Sequence, residues 1–317
     1  MRVFVAGATG AIGRWLIPRL VAGRHEVTAT TRTGAKLDQL RGLGAEPVVA
    51  DGLDAAAMTK AIVDAEPDVI IHQMTALAGQ ADLRQFDRWF ARTNELRTRG
   101  TDILLAAARD AGVGRFVAQS YTGWTNSRTG GPVKTEDDEL DPHPLKMQRE
   151  SLAAIRHLEQ AVLAAEGIVL RYGNFYGPGA SDSLVKLIRM RRFPVIGDGA
   201  GVWSWIHLDD AAAATVAAVQ RGAPGVYNIT DDEPGPVSEW LPYLADAIGA
   251  RPPLRVPAWL GRLMAGSVAV RWMTEARGAS NEKAKRELDW QLALRSWRDG
   301  FRQGLTERGP RSEPVMA

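Results

Sequence analysis

The sequence predicts a doubly wound α/β fold built on a parallel sheet, and three observations carry that prediction. Short apolar or β-branched runs alternate with segments whose apolar residues recur at helical spacing. Several of the runs are apolar throughout, as strands buried on both faces must be. A glycine-rich turn separates the first run from the first helical segment.

Taken in order, Val3–Ala6 is the first strand and Ile12–Val21 the first helix. Glu26–Thr31 is β-branched and extended, Lys36–Leu43 helical, Glu46–Ala50 extended and Ala55–Asp64 helical. Pro67 introduces a buried-strand pattern over Asp68–His72, and one long helix over Phe86–Ala111 leads to the strand Arg115–Ser120. Thr125–Pro144 is rich in Gly, Pro, Asp and Glu without periodicity, which predicts a surface loop beside a cleft. Ser151–Ala165 is a helix ending near Gly167, followed by the strand Ile168–Arg171. Further on, Asp209–Val219 is helical and Gly225–Ile229 extended.

Composition excludes several classes of function. The chain has 317 residues and no cysteine, which removes disulfides, thiolate nucleophiles and cysteine metal sites, and no metal is expected. No apolar run approaches the roughly 18 residues of a membrane span, and the N-terminus enters a strand directly, so no membrane partner and a cytoplasmic location are expected. The net charge is +2. The densest basic stretch, Lys186–Arg192, has its apolar residues at helical spacing and reads as a solvated helix face, so nucleic acid is not an expected partner.

The turn Gly7-Ala8-Thr9-Gly10-Ala11-Ile12-Gly13 carries the chemistry. Gly7 permits a tight turn, Gly10 lets backbone approach a pyrophosphate, and Gly13 lets the helix pack closely on the sheet. The helix N-terminus then offers free N–H groups and partial positive charge to phosphates. This spacing between a strand and a helix makes the first part of the chain a Rossmann-type dinucleotide-binding domain. We expect it to cover residues 1–174, with 207–230 returning to it. A smaller C-terminal substrate-binding lobe is expected from 175–206 and 231–307, and a loose tail over 308–317.

This glycine spacing resembles that of the extended and atypical short-chain dehydrogenase/reductases, the NAD-dependent epimerase/dehydratase-like group. Other matching stretches are Val69–His72, Gly100-Thr101 with Leu104–Ala108, Leu170–Gly179 and Ile206–Ala211. The resemblance covers about residues 1 to 230. It implies cofactor contacts at Gly7, Thr9, Gly10, Ala11, Ile12, Gly13, Thr31 and Arg32, with Asp51 and Gly52 near the adenine. It implies further contacts at Gln73, Met74, Thr75, Tyr172 and Asn174. NAD-preferring relatives end the second strand in a carboxylate that binds the ribose 2′-hydroxyl. Here Thr31 and then Arg32 stand there, which favours the 2′-phosphate of NADP(H).

The resemblance breaks at the proton machinery. The superfamily's usual acid/base pair is a tyrosine and a lysine four residues later, and no Tyr-x-x-x-Lys exists anywhere in the chain. Aligning the helix on Glu159 puts Ser151 at the tyrosine position and Ile155 at the lysine position. Thr122 fits the family's upstream hydroxyl, with Ser120 and Tyr121 beside it; Lys146, His143 and Arg149 are further candidates near the cleft. Sugar-nucleotide epimerases usually carry Arg-Asp-Phe where this chain has Trp203-Ser204-Trp205, which suggests an apolar or aromatic substrate touching Trp124, Tyr176, Trp203 and Trp205. The expected function is an NADP(H)-dependent oxidoreductase acting on a small apolar or aromatic carbonyl or alcohol. The alternatives are an isomerase, epimerase or dehydratase that retains its cofactor, and a non-catalytic NADP-binding regulator. A homodimer is compatible with either.

Overall fold

A computed structural model describes residues 1–77 and 82–305. The expected tail from 308 lies outside the described residues.

Seven parallel strands form the central sheet: β1 (Arg2–Ala6), β2 (Glu26–Thr31), β3 (Glu46–Val49), β4 (Val69–His72), β5 (Arg115–Tyr121), β6 (Ile168–Tyr172) and β7 (Gly225–Ile229). Their spatial order is β7-β6-β5-β4-β1-β2-β3. The connections reverse direction between β1 and β4, and a crevice opens at the carboxyl ends of these two strands, as it must where flanking crossovers diverge. Helices cover both faces. On one, α1 (Gly13–Ala22) packs on the long C-terminal-half helix Leu208–Arg221. α2 (Leu37–Gly42) buries Leu40 on that same face; on the other lie α3 (Ala55–Ala65), α5 (Thr101–Asp110) and α6 (Arg149–Ala164), with α4 (Phe86–Glu95) packing on α6. A separate apolar core built from Tyr176, Trp205, Trp240, Trp297 and Phe301 holds the C-terminal lobe.

Sterics set the turn after β1. Gly7 has φ +87°, and a Cβ there would sit 2.7 Å from the backbone of Gln73 and Met74 just past β4. A Cβ on Gly13 would lie 1.8 Å from the Ala8 carbonyl oxygen, so α1 can approach β1 this closely only with glycine. Gly10 differs: its Cβ would meet nothing nearer than the Gly7 oxygen at 3.5 Å and would project into open space.

Two segments differ from the sequence reading. The single helix expected over Phe86–Ala111 is interrupted by a π-turn at Leu96–Gly100 between α4 and α5. Thr98 and Thr101 turn their hydroxyls onto the Asn94 and Arg97 carbonyls, satisfying groups that a regular ladder would use, and the inserted residue rotates Arg97 inward. The polar stretch 125–144 lies at the surface as expected, exposed over most of 129–144, but it is tied down along its length. Val133–Lys134 pairs in parallel with Gly278–Ala279, Asn126 donates to the Arg277 and Gly278 carbonyls, and Arg128 pairs with Glu275. Its polar composition satisfies contacts to the second lobe.

His72, at the end of β4, ties the sheet to the π-turn. Its Nδ1 accepts from the Met74 N–H at 3.2 Å, so the neutral ring carries its proton on Nε2 and donates to Thr101 Oγ at 3.1 Å; Thr101 in turn donates to the Arg97 carbonyl at 2.8 Å. Burial, with a smaller contribution from the Arg97 charge, pulls the His72 pKa down to about 4. The folded pKa lies below the unfolded value near 6.5, so the histidine's contribution is full above pH 6.5 and is lost as pH falls toward 4, a change worth about 3 kcal/mol. Asp210 has the opposite sign in the same range, since burial pushes its carboxyl up to about 6. The observable is therefore the difference between two proteins. The excess unfolding free energy of wild type over His72→Gln, from urea titrations, should shrink between pH 6.5 and 4; a constant difference would contradict a neutral, buried His72.

Candidate functional site

The glycine turn opens into a cleft of about 460 Å³ that runs from the end of β2, across the switch point, to the rim of the second lobe. At one end Thr31, Arg32 and Lys36 line it; at the centre lie Gly7, Thr9, Gly10, Ala11 and Ile12, faced by Gln73, Met74 and Thr75; Gly52 forms the floor beside Met74. At the far end Tyr121, Trp124, Phe90 and Trp272 form an aromatic box, closed below by Leu96 and Arg97. Trp124 and Trp272 are nearly parallel, with ring centroids 6.3 Å apart, and Phe86 meets both edge-on from behind.

These residues fit a dinucleotide on their own geometry. The Ala11 and Ile12 amides donate to no acceptor among the described residues, and Gly10 leaves open space beside them. The Gln73 side-chain oxygen is buried with no hydrogen-bond partner among the described residues, while its amide donates to Tyr172 Oη at 3.3 Å. Three cations and no Asp or Glu line the cleft, a charge balance suited to an anionic ligand. Among the described residues no cluster of three His, Asp or Glu could hold a metal, and no helix is long and apolar enough to cross a membrane.

The remaining sequence candidates lie elsewhere. Gly13 is buried against Ala8 behind the turn, a packing position. Asp51 is half-exposed outside the lining and pairs with Arg92 at 2.9 Å. Thr122 is buried beneath the cleft, bonded to Asn126, which is itself anchored on the second lobe. Ser151 donates to Asp87 at 2.6 Å and accepts from Asn94, which fixes the start of α6 to α4 and turns the hydroxyl away from the cleft. Lys146 is exposed on the turn before α6 and does not line the cleft. Tyr176 and Trp205 are in the core of the second lobe, and Trp203 packs on Trp240 with its indole N–H on the Trp272 carbonyl. The extra indoles of Trp203-Ser204-Trp205 thus support the aromatic box from behind.

Two hydroxyl candidates do reach the cleft. Ser120 donates to Glu159 at 2.6 Å, and Glu159 is held by a bidentate ion pair with Arg171 at 2.6 and 2.8 Å. Tyr121 donates to Asn174 Oδ1 at 3.0 Å, and burial raises its pKa far above the ordinary value, so it stays a protonated donor. Sequence reasoning missed Phe90, Arg97 and Trp272. Trp272 is distant in sequence and joined to no motif, Phe90 reads as an ordinary apolar position of a helix, and Arg97 reads as a solvated helix position until the π-turn is seen.

Comparison with known proteins agrees with this architecture. The family described as "NAD dependent epimerase/dehydratase family" matches residues 3–230. A "3-diazoavenalumate denitrifying reductase" from a Streptomyces species is 41% identical over 95% of this chain and 99% of its own length. A "4-hydroxy-2-methyl-3-oxo-4-farnesyl-3,4-dihydroquinoline-1-oxide ketoreductase" from Stigmatella aurantiaca is 28% identical over 100% of this chain and 99% of its own. Among solved structures, the UDP-glucose 4-epimerase of Thermotoga maritima superposes with a TM-score of 0.75 at 22% identity, covering 96% of this chain and 97% of that one. The chain therefore belongs to the NAD-dependent epimerase/dehydratase family, and it is an NAD(P)-dependent oxidoreductase within it.

Proposed function

We propose that the protein is an NADPH-dependent reductase of a planar aromatic small molecule, and that the electrophile is a diazo group displaced as dinitrogen. The observation that carries this reading is the continuity of the cleft: the phosphate-binding turn and the box of Phe90, Tyr121, Trp124 and Trp272 line one space. Stacked indole faces spaced as Trp124 and Trp272 are favour a flat ring at the edge of the box.

Preference for NADPH is supported by Thr31 in place of a carboxylate and by Arg32 and Lys36 at the same end of the cleft. When bound, the nicotinamide supplies a hydride; on an aryl diazonium the hydride forms the new C–H bond while the C–N electron pair leaves with N2, and no oxygen needs a proton. That chemistry suits a chain without a Tyr-x-x-x-Lys pair, and the Streptomyces relative is named for a denitrifying reduction of a diazo compound. The chain's own contribution is to stack the ring, exclude water with Phe90 and Trp272, and hold Tyr121 as a neutral hydrogen-bond donor beside the reacting carbon. A carbonyl substrate is the second reading, favoured by the same Tyr121 hydroxyl, which would exchange its bond to Asn174 Oδ1 for one donated to a developing alkoxide.

Incubation with NADPH and an arenediazonium salt should consume the cofactor and release N2 in equal amounts, at a rate above the protein-free control. Cofactor consumption with aryl ketones alone would replace the diazo reading by the carbonyl one, and consumption with neither would overturn both. Gly10→Val should fold normally yet lose dinucleotide binding by calorimetry, whereas Gly13→Val should fail to fold because its side chain meets Ala8 backbone; a folded Gly10→Val that binds NADPH as wild type does would remove this site. Arg32→Ala should weaken NADPH by roughly ten- to a hundredfold, the scale of a charge-assisted hydrogen bond, and leave NADH nearly unchanged. Equal losses for both cofactors would mean that Arg32 does not meet the 2′-phosphate.

A further inference from the structure

Arg97 is an unusual residue for a protein interior. It is 6% exposed, it lines the floor of the aromatic box, and its Nη1 is buried with no hydrogen-bond partner among the described residues. An unpaired buried guanidinium is costly, because the desolvation of the charge is returned only by a partner. Glu159, the carboxylate whose charge acts on Arg97, is already committed to Arg171 through two hydrogen bonds and to Ser120 through a third.

The arginine is also held in place. The π-turn rotates it inward, the His72–Thr101 chain fixes its carbonyl, and its guanidinium lies over the Phe90 ring at 5.8 Å from the centroid. The π-turn packs against α6, the helix on which Ile155 stands at the position of the missing lysine, and the Arg97 charge interacts with Glu159 one turn further along. Burial lowers the Arg97 pKa to about 10, so it remains charged at neutral pH.

We infer that Arg97 is a substrate-binding residue that pairs with a carboxylate on the aromatic substrate, making the preferred ligand an aryl or arylalkenyl carboxylate. The inference rests on the aromatic-substrate reading above and sharpens it to an anionic ligand class. A planar guanidinium at the floor of a box of rings matches a flat acid in geometry as well as charge, since it offers paired N–H donors in the plane of the carboxylate. The absence of any Asp or Glu in the cleft lining removes the repulsion that would oppose such a ligand.

The test is calorimetric binding of 4-hydroxycinnamate and of its neutral amide to protein saturated with NADP+. Wild type should bind the acid at least about tenfold more tightly than the amide, and Arg97→Met should lose that discrimination, weakening the acid by roughly ten- to a hundredfold while the amide is unchanged. Arg97→Lys should recover part of the preference. Because the methionine removes a buried charge that makes no side-chain hydrogen bond among the described residues, Arg97→Met should melt no lower than wild type, which separates lost recognition from lost structure. Equal affinity of wild type for acid and amide, or no binding of the acid, would overturn the inference, as would an Arg97→Met variant whose loss falls on NADPH affinity. Failure of the underlying reading is read separately, as a wild type that does not take up NADP+ in the preceding titration.

Discussion

The close approach of backbone to backbone at the switch point is the constraint on which the rest of the structure depends. β1 and β4 are adjacent parallel strands, and the chain leaves them in opposite directions, so their carboxyl ends must part to leave a crevice. Gly7 packs against Gln73 and Met74 at a distance no side chain allows, and Gly13 brings α1 onto Ala8. With these contacts made, the first amides of α1 face the crevice and Gly10 presents no side chain to it. The shape of the cleft beside α1 is thus a consequence of how tightly the first turn is packed.

The opposite wall obeys a different logic. A regular helix from Phe86 to Ala111 would be the more stable local solution, yet the chain inserts one residue, satisfies the disturbed carbonyls with Thr98 and Thr101, and buries an arginine whose Nη1 has no hydrogen-bond partner among the described residues. Departures of this kind, in which local stability is given up, concentrate where a protein binds something. His72 links the two walls: a neutral imidazole receives the Met74 amide on one side and supports the π-turn through Thr101 on the other. Protonation would turn its Nδ1 from acceptor to donor against that amide, so the same ring that orders the cleft makes the region sensitive to acid.

Much of the fold was legible in the sequence because buried parallel strands and amphipathic helices leave strong periodic signals. Glu26–Thr31 and Gly225–Ile229 have the bounds expected from their residues, and the glycine turn declared its own geometry. The interruption at Leu96–Gly100 was not legible, since Leu96, Arg97 and Gly100 fit a continuous helix and an inserted residue changes no composition. Hydroxyl residues were ambiguous for a related reason. Thr122 and Ser151 occupy positions that resemble reactive ones, but which way a hydroxyl turns depends on partners far away in the chain, Asn126 with Arg277 in one case and Asp87 in the other. The tryptophans of 203–205 show the same limit: aromatic residues signal a hydrophobic site, and only packing decides that Trp124 and Trp272 face the cleft while Trp203 and Trp205 stand behind them.

The central claim is that one cleft brings the reduced nicotinamide and an aromatic substrate together for direct hydride transfer. It is tested most directly by turnover of an arenediazonium carboxylate with NADPH deuterated at the nicotinamide C4, followed by mass and NMR analysis of the product. The account predicts one deuterium on the ring carbon that carried nitrogen, transferred from a single face of the cofactor. Product that takes its hydrogen from solvent, or that forms with no net oxidation of the cofactor, would contradict it.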